Sequence, residues 1–391
     1  KKRIIMQFSQ TPNSFIKEES WWQRYTSQSH QLFFSMAIVF SIFIMFLSFL
    51  ILKGQLSLEF SLIHGFGLNY AVFTNAFLGF LITVIPKYNA HPEVKKSEYL
   101  MPWVLFEISI LLTLFLNVFI GKILVAFSMF YFSYIFYKII RNSKAHDKKD
   151  SILINMIFLF GALLLIFEAL FNINLSYMVF YSYLLAMVFI VALRMVPMFY
   201  FNVTGIKPWI KPKYTRESVV ALLFILGVSL QFDLVVVSIL SSFIGFIFFT
   251  YIVLKLNIYK KTPAIMSILS FAFIYIPLGF FVLFTETLFE LETLKLSFHI
   301  FALGFITTML IGFGSRVTLG HAVPAQPIQA DKITIALFVF TQIVLLLRVL
   351  SSLSFMASSS FSMNLLYISF IAWIVLFVLW TLRYGRILLR I

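Results

Sequence analysis

Long apolar runs alternate with short polar segments along nearly the whole chain. A helix needs about 20 apolar residues to cross the roughly 30 Å hydrocarbon core of a bilayer. Runs of this length predict helices, because only helices and closed barrels satisfy their backbone hydrogen bonds inside lipid. The pattern predicts twelve of them, near residues 32–53, 61–86, 99–120, 122–140, 151–172, 176–200, 217–233, 235–256, 264–285, 294–316, 332–353 and 363–384. The predicted fold class is therefore an all-α polytopic membrane protein.

The composition supports this class and excludes others. Apolar types make up 61% of the 391 residues and charged types 12%, with 50 Phe and a mean hydropathy of +0.98. A soluble domain has about 45–50% apolar and about 25% charged residues, so a soluble or disordered chain is excluded. The loops leave no room for a second folded domain. We predict a polar cytoplasmic segment at 1–30 and a single transmembrane bundle at 31–391, and the sequence shows no internal repeat.

The placement of positive charge predicts the orientation of the bundle. With twelve helices, 26 of the 30 Lys and Arg residues lie on the same side as the N-terminus. Lys and Arg are enriched in cytoplasmic loops, so both termini are predicted to face the cytoplasm. The net charge of +15 is then explained by basic loops beside lipid, and no nucleic-acid partner is expected. The remaining four cations are predicted on the outer side: Lys53, Lys122, Lys295 and Arg348.

The sequence contains no cysteine, which excludes disulfides, iron–sulfur clusters, thiol catalysis and thioether-bound haem. A metal or cofactor must then depend on the six His, on Met or on carboxylates. Four of these His lie outside the predicted helices. His30 and His146 are expected to be solvated, and His91 and His321 lie in inner loops.

Only His64 and His299 fall within predicted spanning helices, near the outer ends of the second and tenth. Ionisable groups in membrane helices are costly and are candidates for function. The functional interpretation is a haem b with these two His as axial ligands, since haem iron accepts imidazole. The alternatives are two unrelated His bonded to water or backbone, or a metal other than haem. Helical spacing places Gly67, Leu68 and Ala71 on the same face as His64, and Ala302, Leu303 and Ile306 on the same face as His299. Of these, Gly67, Ala71, Ala302 and Ile306 are predicted to line the porphyrin.

Two further groups of residues are candidates for binding. Lys295 and Arg348 lie on the outer side, where they could contact the haem propionates, although snorkelling at helix ends also explains them. A second metal or anion site is possible at the inner side, where the alternative is simple anchoring of helix ends. Its candidate residues are His91, His321, Arg194 and Arg316.

The sixth and seventh predicted helices contain no His. A non-haem metal centre with three His, as oxygen and nitric oxide reductases use, therefore cannot be built in its usual place. Whether the protein is an enzyme stays open. A cofactor-free transporter or efflux protein, and an accessory subunit of a respiratory complex, are alternatives to a haem protein.

Three segments together with His64 resemble a known family. They are GFLITVIPKYNA (79–90), RMVPMFYFNVTG (194–205) and FHIFALGFITTMLIGFGSRVTLGHAVPAQP (298–327). The chain resembles the NnrS family of bacterial twelve-helix membrane proteins, which bind haem and copper and act in nitric oxide metabolism and resistance to nitrosative stress. The resemblance implies a location in the bacterial inner membrane, and nitric oxide as a ligand.

Residue by residue, the family's helix 2 and helix 10 histidines match His64 and His299, and the His of its RVxLGH pattern matches His321. The family often has a His-x-His-Glu cluster at the start of helix 2, where this chain has Phe66 and Gly67. Haem b is therefore the expected cofactor, and copper at His91 and His321 is a weaker expectation because a metal centre normally needs three or four ligands. The sequence specifies neither the electron donor nor the oligomeric state.

Overall fold

The structure is a computed structural model that describes residues 20–391. After a short helix, Trp21–Tyr25, twelve long helices follow within the described part of the chain. The basic residues before position 20 in the predicted cytoplasmic segment lie outside this part. The helices are α1 (Ser29–Leu52), α2 (Ser61–Tyr88), α3 (Lys96–Phe115), α4 (Val118–Arg141), α5 (Lys149–Phe171), α6 (Ser176–Thr204), α7 (Thr215–Gln231), α8 (Val235–Leu256), α9 (Ala264–Leu288), α10 (Leu296–Gly320), α11 (Lys332–Met356) and α12 (Ser362–Leu389).

The predicted fold class is confirmed. Eleven of the described helices are long and apolar enough to cross a membrane. The exception is α7, which has 17 residues and is bounded by a charged first turn and Gln231. It packs between α6 and α8 and completes the predicted set of twelve. The protein is therefore a multi-pass membrane protein.

Every fourth helix, starting with α2, lies at the centre of the bundle. In α2, α6 and α10, 83%, 78% and 72% of the apolar stretch is buried, against 33–44% in the other eight candidate spans. The central helices carry fewer lipid-facing positions, because the remaining helices surround them. This arrangement repeats at intervals of four helices, although the sequence shows no repeat.

Each central helix contains a π-helical segment in its first half. The segments are Ser61–Thr74, Val179–Leu185 and Ile300–Thr307. Their backbone bonds run between residues five apart, and such segments are rare and frequent at functional sites. Thr74 donates its hydroxyl hydrogen to the carbonyl of Asn69, five residues earlier, at 2.8 Å. The wider turn changes which side chains share a face, and this determines the walls of the site described below.

The two described ends of the chain meet at one end of the bundle. Trp21 Nε1 donates to the carbonyl of Leu389 at 3.0 Å, and Gln31 Nε2 donates to the carbonyl of Leu388 at 3.0 Å. We call this end the inner end, after its predicted orientation, and the opposite end the outer end. The expectation that His30 is solvated is wrong, because α1 already begins at Ser29 and buries His30 to 3% exposure.

Candidate functional site

A cavity of about 550 Å³ lies at the outer end, between α1, α2, α6, α10, α11 and α12. Both His64 and His299 line it, so the structure brings together the two histidines that the sequence places at equal depth. Aromatic and aliphatic side chains form most of the wall, and its volume lies within the range of about 300–1,000 Å³ typical of ligand sites. Its aromatic members are Phe60, Phe73, Phe180, Phe298, Phe370 and Trp373.

The ring of His299 is oriented by the turn that starts α10. Its Nδ1 lies 2.8 Å from the carbonyl oxygen of Lys295. A carbonyl can only accept, so Nδ1 carries the hydrogen and Nε2 is left with its lone pair. Metal-bound His residues almost always donate their other ring N–H in this way. His299 therefore has the tautomer of a ligand whose Nε2 faces the cavity.

The ring of His64 is held by stacking instead of hydrogen bonding. It lies parallel to Phe60, with ring centroids 4.9 Å apart and planes inclined by 12°, and its centroid is 5.8 Å from that of Phe370. Its Nδ1 is buried and has no hydrogen-bond partner within the described residues. Buried polar atoms are rarely left unpaired without a functional reason. Neither ring nitrogen of His64 is thus occupied by a hydrogen bond within the described residues.

The π-helical turn decides which neighbours of His64 face the cavity. Leu68, Asn69 and Phe73 line the wall, at four, five and nine positions after His64. These are the positions that share a face where hydrogen bonds join residues five apart. Spacing for an α-helix would select Leu68 as well, but not Asn69 or Phe73.

Of the four predicted wall residues, only Ala302 lines the cavity. A Cβ on Gly67 would lie 2.8 Å from Ile44 Cδ1, so this glycine allows close packing with α1. Ala71 is fully buried away from the cavity, and Ile306 lines a separate apolar cavity of about 40 Å³. Sequence reasoning missed Gly65, which does line the wall and has no atom within 4 Å of its Cβ position.

The two predicted outer cations also lie on the wall. Arg348 is 6% exposed, and donates to Ser352 Oγ and to the carbonyl of Leu294, each at 2.6 Å. Lys295 Nζ lies 5.0 Å above the ring of Tyr177. Neither forms an ion pair within the described residues, and no Asp or Glu lines the cavity. The site combines imidazole, an apolar wall and uncompensated positive charge.

The inner histidines form a different cluster from the predicted one. His321 packs against His30, with ring centroids 5.0 Å apart, and its Nε2 lies 3.2 Å from Lys87 Nζ. Its Nδ1 lies 3.0 Å from the carbonyl of Val317. Since that carbonyl requires the hydrogen on Nδ1, Nε2 accepts from the ammonium. His91 has its Nδ1 2.9 Å from the carbonyl of Pro92 and is in no ring contact with His321 in the described part of the chain.

The two inner arginines have separate surroundings. Arg194 bonds Asp150 Oδ2 at 3.0 Å and lies 3.8 Å above the ring of Tyr88. Arg316 lies 4.1 Å above the ring of Phe199. Among residues 20–391, no three His, Asp or Glu side chains form a group that could hold a metal ion. The structure thus does not gather the candidate inner residues into one site.

The family model for the NnrS protein matches residues 24–391 of this chain. The chain belongs to the NnrS family. The match spans all twelve helices and every histidine. Membership supports a membrane protein that is linked to nitric oxide stress. No curated protein matches the sequence.

Proposed function

We propose that the outer cavity binds haem b between His64 and His299, and that the protein acts in nitric oxide metabolism or resistance to nitrosative stress. One observation carries this proposal. Two histidines from different central helices line one apolar cavity of about 550 Å³, and each offers a ring nitrogen without a partner. This donor set fits a haem iron, which accepts axial imidazole.

The charge of the cavity supports an anionic occupant. Arg348 is buried and has no carboxylate partner in the described residues. A buried charge without a counter-charge is strongly unfavourable, so a bound anion stabilises the guanidinium. Lys295 lies on the same wall and adds a second cation at the more exposed rim. In this proposal the two side chains would neutralise the haem propionates.

When bound, the haem supplies an iron that accepts and passes on one electron and binds nitric oxide where a coordination position is open. The residues of the chain then have different roles. His299 is fixed by its bond to the Lys295 carbonyl, whereas His64 lacks such a bond. The aromatic wall gives the site a largely apolar lining. If haem is bound, His64 would be the less firmly oriented of the two residues that hold the iron, and His299 the more firmly oriented one.

The first test is an absorption spectrum of the purified protein, oxidised and reduced, with metal analysis. We expect a haem b spectrum that is lost or shifted to five-coordinate iron in His64→Ala and in His299→Ala. His91→Ala and His146→Ala, which remove histidines outside the cavity, should keep the parent spectrum. A colourless protein from cells supplied with haem would contradict the proposal and favour a transporter or an accessory subunit.

A further inference from the structure

Glu107 is a carboxyl group in the middle of a spanning helix. It lies on α3, eleven residues after Lys96 at the inner end, and is 7% exposed. Its helix packs against α1, α2 and α4. From α2, Asn75 reaches it and donates from Nδ2 to Glu107 Oε2 at 3.2 Å. The same Nδ2 donates to the carbonyl of Ala71 at 2.9 Å.

The remaining polar atoms of this pair have no partner. Glu107 Oε1 and Asn75 Oδ1 are buried and form no hydrogen bond within the described residues. The indole of Trp103, one turn earlier on α3, lies near the same carboxyl, and its Nε1 is also without a partner there. Glu107 forms no ion pair with any described cation. The charged form would be a buried anion without a cation partner, near only the amide of Asn75 and the indole of Trp103.

Protonation of Glu107 removes the unpaired buried charge. The neutral acid carries no charge to desolvate, and it has one O–H to donate. The free Oδ1 of Asn75 is an acceptor on the side chain that already bonds Oε2. Burying a charge is costly unless it is paired, whereas a buried neutral group needs only its hydrogen bonds. The geometry therefore suits the protonated form of Glu107.

Glu168 on α5 is also a buried carboxyl group, but its charge is paired with a cation. It is 8% exposed, almost as buried as Glu107. Its Oε2 lies 2.9 Å from Lys122 Nζ, and its Oε1 accepts from the backbone N–H of Leu175 at 2.9 Å. Both oxygens are occupied by donors, and the cation balances the charge. The chain thus pairs one buried carboxylate with a cation and leaves the other without one.

The Glu107 pair lies between the cavity and the inner end. Asn75 directly follows Thr74, the last residue of the π-helical segment that carries His64. Asn69 on that segment lines the cavity, and Thr74 bonds its carbonyl. Tyr25 lies toward the inner end. Burial raises the pKa of its hydroxyl and a hydrogen bond with Ser35 lowers it, while a negative charge on Glu107 raises it.

We propose that Glu107 and Asn75 form a proton-binding site inside the membrane, and that the proton is bound in the resting protein. The side chains that face the carboxyl are Asn75 from α2 and Trp103 from α3, and the hydroxyl of Tyr25 toward the inner end is sensitive to charge on Glu107. Loading or unloading this site changes the charge beside α2 by one unit. The proposal does not require a haem in the outer cavity.

The test uses dicyclohexylcarbodiimide, an apolar reagent that reacts with protonated carboxyl groups in membranes. The purified full chain is treated at pH 7, and peptides are analysed by mass spectrometry. We expect labelling of Glu107 to exceed that of Glu168 by about tenfold or more, a difference equivalent to one pH unit in protonation. The infrared spectrum should contain a protonated carboxyl band that disappears in Glu107→Gln, which keeps the bond to Asn75.

Lys122→Met supplies a matched control, because it removes the cation from Glu168 without touching Glu107. In this variant Glu168 should become reactive, which would show that the reagent reaches buried carboxyl groups at both places. Reaction of Glu168 there, with Glu107 unlabelled and without an infrared band, would overturn the proposal. Equal labelling of the two carboxyl groups in the parent protein would overturn it as well.

Discussion

The protein contains two pairs of histidines, one at each end of the bundle, and they differ in the space between them. His64 and His299 both line a cavity of about 550 Å³ and are in no ring contact with each other within the described residues. His30 and His321 touch, with ring centroids 5.0 Å apart, beside a cavity of about 30 Å³. Both pairs lie between helices and both are well covered. The space beside the outer histidines and their unpaired nitrogens therefore favour a cofactor there more strongly than their shared depth does.

The charged residues at the two ends of the bundle differ as well. At the inner end, Asp150 bonds both Arg194 and Arg216, and the lone pair of His321 accepts from Lys87. At the outer end, Arg348 and the cavity wall have no carboxylate among the described residues. The inner arginines Arg194 and Arg216 are thus paired within the chain, whereas the outer cations have no counter-charge among the described residues, as the proposed anionic ligand requires. The following variants test this difference between the two ends of the bundle.

The largest effect is expected from Arg348→Met, which removes the buried cation and keeps an apolar side chain. Haem affinity should fall by about 2–4 kcal/mol, or roughly 30- to 1,000-fold, because a buried charge partner is lost. The haem-free variant should be more thermostable than the haem-free parent, since an unpaired buried charge has gone. Titration of haem into the apoprotein measures the first effect and a thermal melt the second.

Arg316→Met is the control for this prediction. It removes an inner-end arginine that stacks on Phe199 and lies on the helix that carries His299. Its haem affinity should equal that of the parent. Equal affinities of Arg348→Met and the parent would mean that the outer cations do not face the propionates.

A smaller effect is expected from filling the cavity at Gly65. Its Cβ position is free of other atoms within 4 Å, so Gly65→Leu should fold and project an isobutyl group into the site. We expect haem affinity to fall about tenfold, or 1.4 kcal/mol. Gly65→Ala adds only a methyl group and should bind haem nearly as the parent does. Removing a helical glycine favours folding by about 0.5–1 kcal/mol, so a loss of haem with unchanged or raised thermostability would locate the effect in the site.

The sequence predicts the helices well, because lipid leaves few ways to satisfy a backbone. The predicted start of α8 at 235 and start of α9 at 264 agree with the structure, and the helix ends differ by a few residues. The equal depth of His64 and His299 also follows from the helix positions and directions, whereas only the structure shows that both line one cavity. These features depend on hydropathy and charge, which are local properties of the sequence.

The wall of the site could not be predicted in the same way. Gly67 and Ala71 were selected by α-helical spacing, but Ser61–Thr74 is π-helical and turns Leu68, Asn69 and Phe73 toward the cavity. No local signal distinguishes such a turn in a run of apolar residues. The burial of His30 was missed for a related reason, since a polar residue at a helix start gives no indication of what packs against it.

A smaller change, in the rate of nitric oxide binding, is expected from removing the aromatic ring that stacks on His64. Phe60→Leu removes the stacking partner, a contact of about 0.5–1.5 kcal/mol. If His64 is the ligand that swings away, nitric oxide should bind about 2–10 times faster in this variant, measured by stopped-flow absorption. His299 is held by a backbone carbonyl and should respond little to its neighbouring ring. Phe298→Leu is therefore the control, and a faster reaction in that variant alone would assign the exchange to His299.

The smallest effect concerns the inner pair and acid. Burial lowers the pKa of the His321 ring, and the nearby Lys87 ammonium acts in the same direction. The unfolded chain therefore binds a proton at His321 near its ordinary pKa of 6.5 while the folded protein does not. The free energy of unfolding must then fall as the pH drops below 6.5, by less than about 1.4 kcal/mol per pH unit because the ring is only half-buried.

His321→Gln removes this titration, so its thermal midpoint should fall less than that of the parent between pH 7.5 and 5.5. His146→Gln changes an exposed loop histidine and should follow the parent. If His321→Gln lost as much stability in acid as the parent, protonation of another group would be responsible. If the parent protein instead gained stability in acid, the inner pair would bind a proton readily. Its contacts would then be as incomplete as those of the outer pair.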